Sequence, residues 1–164
     1  MSESEFRQAG AGKVGIAINV PFLMEIKEDS EFRQLLNQIY QRINQRPAPD
    51  PRTALEMLSS LRDQLETYFA LEEFYGFVKN SVNADAMHSK LAQELADEHL
   101  SLYSQLNDII EIGEQIVYRE CPPQVTVNDV AELLDKFCYA LAQHEQQEME
   151  LMMKTCNQDT GVGD

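Results

Sequence analysis

Basic residues are scarce in this chain: 13 Lys and Arg stand against 28 Asp and Glu, for a formal net charge of −15. So acidic a surface repels phosphate backbones and anionic headgroups, which argues against nucleic acid and membranes as partners. Its bland reading is a solvated face; its functional reading is attraction of cations. Cysteine is also sparse. Cys121, Cys138 and Cys156 are odd in number and lack the close spacing of a zinc knuckle or a redox pair, which predicts free thiols in a reducing, cytoplasmic compartment. No stretch approaches the roughly 18 uninterrupted apolar residues of a membrane span, and the charged start MSESEFRQAGAGK does not read as a secretory signal. There is no separate nucleophile, phosphate loop or catalytic triad, so binding outranks turnover, with a weak oxidase or peroxidase activity as the remaining enzymatic reading.

What is there is helical rhythm. With 164 residues and 43% apolar content, one domain can bury a core without disulfide staples. Residues 1–20 read as a flexible N-terminus ending in a short extended arm, where Val14, Ile16, Ile18 and Val20 alternate with smaller or polar residues. The arm either packs along its own domain or pairs with another chain. Pro21 suits the first turn of helix one, whose stripe of Phe22, Ile26, Phe32, Leu36, Ile39 and Ile43 runs to about Gln45. The link RPAPDP then offers Asp50 as N-cap and Pro51 as first residue of helix two.

The seam of helix two is Leu58, Leu61, Leu65, Tyr68, Glu72 and Tyr75, broken at Asn80 to Asn83. Helix three starts near Asp85 and follows Leu91, Leu95, His99, Leu102, Leu106, Ile109 and Ile116 until Cys121, Pro122 and Pro123 close it. Helix four starts after a cap at Thr126 or Asn128 and follows Val130, Leu134, Phe137, Leu141, His144, Glu148 and Leu151. Short connections make neighbouring helices antiparallel. The expected fold is all-α, an up-down-up-down four-helix bundle over residues 21–156, with residues 157–164 as a flexible tail.

Each of the last three helices carries polar groups on its apolar stripe at mid-length: Tyr68 and Glu72, then His99, then His144 and Glu148. In such a bundle they meet at one level, and buried ionisable groups require counter-charges, hydrogen bonds or a metal.

These residues resemble the hemerythrin-like, or HHE cation-binding, domains. That family places one His on helix one, His-x-x-x-Glu on helix two, one His on helix three and His-x-x-x-Glu on helix four. The best-matched stretches are TYFALEEF, DEHLSLYSQL and LAQHEQQEMEL, and helix one contributes IKEDSEFRQLL. The resemblance implies that Glu72, His99, His144 and Glu148 are metal ligands. Ser30 stands where the family has the His of helix one, and Tyr68 replaces the His of helix two, so two of six usual ligands are substituted. The implied cofactor is one iron, or two, with Mn or Zn as alternatives. The implied partner is a small ligand such as dioxygen, nitric oxide or peroxide, and a homodimer is compatible with it.

Alternatives stay open at several positions. Tyr68 reads as space-filling aromatic, as phenolate ligand, or as hydrogen-bond donor to a metal-bound molecule. Lys27 and Arg33 lie one turn either side of Ser30, and either can reach inward so that a salt bridge replaces the metal. The bundle is then a metal-free interaction module. His88 lies three turns from His99, roughly 16 Å away, too far to share an ion. Met149, Met152, Met153 and Cys156 read as core filling rather than a soft-metal site, and Cys138 as a small buried hydrophobe rather than an oxidant sensor.

Overall fold

The computed structural model describes Lys27, residues 30–75 and residues 86–159, with side chains for Lys27, residues 30–73 and residues 90–154. Four helices run over α1 Glu31–Asn44, α2 Pro51–Tyr75, α3 Ala86–Tyr118 and α4 Val127–Asp159. Each packs against its sequence neighbour, and α1 also packs against α4. Among the described residues there is no strand. No described helix is long and apolar enough to cross a membrane. The expected arm at Val14 to Val20, the start of helix one at Pro21 and the break at Asn80 to Asn83 lie outside the described residues. So do the final residues 160–164 and the side chains of His88 and Cys156.

Local chemistry sets the ends of these helices. Asp50 caps α2 as its sequence indicates: its Oδ1 accepts from the backbone N–H groups of Arg52 at 3.1 Å and Thr53 at 3.2 Å. Thr126 caps α4 in a reciprocal arrangement with Asp129. Its hydroxyl accepts from Asn128 N–H at 3.3 Å, and Asp129 accepts from Thr126 N–H at 2.7 Å. At the end of α3, Arg119 adopts φ 60°. The N–H groups of Arg119 and Glu120 then close on the carbonyls of Ile116 and Gln115, a left-handed cap that ends the helix just before Cys121 and the two prolines.

The helix expected from Pro21 to about Gln45 does not run through Ser30. Ser30 is extended, with ψ 142°, and acts as N-cap: its hydroxyl accepts from Arg33 N–H at 3.1 Å and donates to the Lys27 carbonyl at 3.1 Å. A serine that can bond its neighbouring backbone competes with helix continuation, so α1 begins at Glu31.

Phe22, Ile26 and the side chain of Tyr75 lie outside the described residues, and Leu91 and Ile116 are partly buried; the other residues of the expected stripes are buried. Phe32, Leu36, Ile39 and Ile43 of α1 join Leu58, Leu61 and Leu65 of α2, Leu102, Leu106 and Ile109 of α3, and Val130, Leu134, Phe137 and Leu141 of α4. A smaller cluster of Ala92, Leu95, Leu151 and Met152 lies beyond it, with Met149 packed alongside. Met153 faces outward. Along α3 the larger core ends at Leu102 and the smaller begins at Leu95; along α4 the limits are Leu141 and Leu151. Between them lies a buried polar layer.

Candidate metal centre

That layer consists of Lys27, Glu72, His99, His144 and Glu148, each at most 4% exposed. Glu72 comes from α2, His99 from α3, and His144 with Glu148 from successive turns of one face of α4. Lys27 enters from just ahead of the Ser30 cap. The four mid-helix residues predicted from the sequence therefore converge. Each offers a ligand atom, and these four atoms lie within 4.8 Å of one another.

The two carboxylates divide their oxygens. Glu72 Oε1 lies 2.8 Å and Glu148 Oε2 2.5 Å from Lys27 Nζ. On the other side, His99 Nε2 lies 3.3 Å from Glu72 Oε2 and 3.4 Å from Glu148 Oε1, and His144 Nε2 lies 3.3 Å from the same Glu148 oxygen. Oxygens on that side face ring nitrogens rather than the ammonium.

Glu72 Oε2, Glu148 Oε1, His99 Nε2 and His144 Nε2 are buried yet none has a partner in hydrogen-bond geometry. Buried polar atoms are nearly always satisfied, so four orphans converging from three helices need an explanation. Two imidazoles and two carboxylates form a suitable donor set for a divalent transition ion. The residues present fit a metal.

Surrounding groups fix the rings. Glu98 Oε2 lies 2.9 Å from His144 Nδ1. With the proton on Nδ1, donating to Glu98, the lone pair of Nε2 faces inward, an arrangement that orients metal-binding histidines. Phe69 stacks on His99 with ring centroids 4.0 Å apart and planes 10° from parallel. His99 and His144 meet edge to face at 4.9 Å.

Tyr68 is buried between α1 and the site, stacked on Phe32 at 4.7 Å. Its hydroxyl donates to Glu145 Oε1 at 2.9 Å, and Arg33 pairs with the other oxygen of Glu145. Of the two basic residues flanking Ser30, Lys27 enters the carboxylate layer and Arg33 ends at Glu145. Ser30 itself contributes no atom to the cluster because its hydroxyl is committed to the cap.

Electrostatics follow from this packing. Burial would lower the Lys27 pKa, but Glu72 and Glu148 outweigh it and hold the ammonium above its ordinary value. Burial likewise opposes charge on His99, yet Glu148 and Glu72 push it up to about 9. His144 is also raised, by Glu148 and Glu98 against burial. Burial raises Glu148, and His144, His99 and Lys27 reverse this, leaving it well below the usual carboxylate range. Tyr68 is pushed far above its ordinary value by burial and by Glu72 and Glu145, so it stays a neutral phenol.

Glu98, Glu145 and Phe69 were not singled out by sequence reasoning. Glu98 and Glu145 adjoin His99 and His144 in sequence, but nothing in helical periodicity marks which acidic neighbour turns inward. Comparison with models of known protein families, with curated proteins and with solved structures found no match to this chain.

Proposed function

We propose that this chain is a hemerythrin-like protein, an up-down-up-down bundle that holds one divalent metal ion between Glu72, His99, His144 and Glu148. The observation that carries the proposal is the convergence of four buried ligand atoms without hydrogen-bond partners. Iron is the ion suggested by the sequence resemblance, with manganese and zinc compatible with the same donors. A bound ion would supply a Lewis-acidic position and, for iron, a redox couple. Glu98 holds His144 in the ligating tautomer, Phe69 holds the plane of His99, and Tyr68 keeps its proton toward Glu145. We assign binding or sensing of a small ligand such as dioxygen, nitric oxide or peroxide, rather than turnover. The free thiols of Cys121 and Cys138 agree with a reducing, cytoplasmic setting.

The test is elemental analysis of protein purified without a metal-affinity tag, with a visible spectrum recorded after ferrous iron is added in air. Near one ion per chain, lost in His144→Ala, is the expected result. Absence of metal in both proteins sinks the proposal.

A second reading rests on Lys27. Its ammonium already contacts both carboxylates, which supports a closed, metal-free bundle serving as a protein-interaction module. That reading requires melting to be unchanged by chelator or added metal, because an ion bound only by the native state raises stability.

A further inference from the structure

Lys27 and the two histidines address different oxygens of the same two glutamates. Lys27 Nζ contacts Glu72 Oε1 and Glu148 Oε2, whereas the ring nitrogens face Glu72 Oε2 and Glu148 Oε1. Glu72 and Glu148 therefore bridge two cationic positions. One is filled by a covalently attached ammonium, and the other is framed by His99 Nε2 and His144 Nε2.

We propose that Lys27 is a permanent cation in a mixed ammonium–metal site: it stays in place when a metal binds on the histidine side and limits the bundle to one ion. This rests on the metal-binding reading above. Geometry makes the two occupants compatible, because Lys27 lies against Glu72 Oε1 and Glu148 Oε2, whereas the ring nitrogens face Glu72 Oε2 and Glu148 Oε1. Charge makes a second metal incompatible. An ammonium and one divalent ion already give three positive charges against two carboxylates, and a further ion beside Lys27 would face uncompensated repulsion in a buried layer. On that side the ammonium contacts one oxygen of each carboxylate and so links Glu72 to Glu148.

The proposal predicts stoichiometry. Cobalt(II) is counted by equilibrium dialysis and elemental analysis, with a His99→Ala, His144→Ala protein as the blank for surface binding. Wild type is expected to bind one ion per chain. Lys27→Glu exchanges the ammonium for a carboxylate and is expected to bind two. Two ions in wild type, or one ion in a folded Lys27→Glu protein, overturns the inference while leaving the four-ligand site standing. Binding by Lys27→Glu but not by wild type shows that ammonium and metal exclude each other, which also overturns it. Binding by neither protein overturns the metal-binding reading and this inference together. Should Lys27→Glu not fold, acylation of Lys27 by an amine reagent, mapped by mass spectrometry, decides the question on wild type. Protection equal within twofold with and without cobalt supports coexistence, and a tenfold rise in labelling on metal addition shows that Lys27 has been displaced.

Discussion

Glu98 Oε2 and His144 Nδ1 meet at 2.9 Å across the α3 and α4 interface. The side chain of Glu98 is 45% exposed and that of His144 is 2% exposed, so a partly solvated carboxylate sets the orientation of a buried ring. It lies beside a groove of about 290 Å³ that also includes Ser101, Gln105 and Gln143. Glu98→Ala is expected to weaken metal binding by roughly 10- to 100-fold, the usual effect of losing such a partner. Helical content should be unchanged. Equal affinities in a metal titration of wild type and variant would show that Glu98 does not position the ring.

Lys27→Met removes the charge that holds Glu72 and Glu148 together and leaves two buried carboxylates facing each other. Loss of one partner from a buried ion pair costs about 3–5 kcal/mol. Urea denaturation in chelator should show a loss of that order, partly recovered when a metal ion is supplied. A variant as stable as wild type in chelator would mean that the carboxylates have other compensation.

His99 gives the metal-free protein a pH signature. Its pKa rises from 6.5 to about 9 on folding, so its contribution to stability is fully present below about pH 6.5. It is lost as the pH rises through about 9. Melting in chelator should fall across that interval, and the slope should diminish in His99→Gln. Metal must displace the same proton, so affinity should increase over the same range. At the acid end Glu148, whose pKa is lowered on folding, contributes above its ordinary value of 4.5, and that contribution disappears as the pH falls. A pH-independent metal affinity would contradict protonation of His99.

Cys138 is held up to about 11 by burial and by the charge of Asp135, with a smaller opposing effect of Arg33. The thiolate is the reactive form, so alkylation of Cys138 at neutral pH should be at least tenfold slower than that of an unperturbed cysteine. Mass-spectrometric mapping after iodoacetamide treatment measures this. Rapid modification of folded protein would revive Cys138 as an oxidant sensor.

Glu72, His99, His144 and Glu148 were legible because a long helix exposes its inward face as a stripe, and an ionisable residue on that stripe stands out against Leu and Phe. Asp50 with Pro51, and a cap at Thr126 or Asn128, were legible as helix starts for a similarly local reason, and Thr126 is the one the structure uses. The course of helix one was not. Phe32, Leu36, Ile39 and Ile43 fix the face of α1, but the Ser30 hydroxyl is taken up by the cap, and Lys27 rather than Ser30 supplies the inward side chain. Periodicity could place both Lys27 and Arg33 near the layer without choosing between them. The choice depends on Glu145, which lies beside His144 in sequence and captures Arg33 together with Tyr68. Glu98 shares this difficulty, since pairing across helices is a tertiary fact.

Phe69 lies flat against the imidazole of His99, and turning that imidazole out of its plane would break the stack. Nε2 would thus be aimed before any ion arrived, and little orientational freedom would remain to be lost on capture. Ions that tolerate this fixed spacing would be retained, while those that demand a different coordination shell would have to distort the surrounding core.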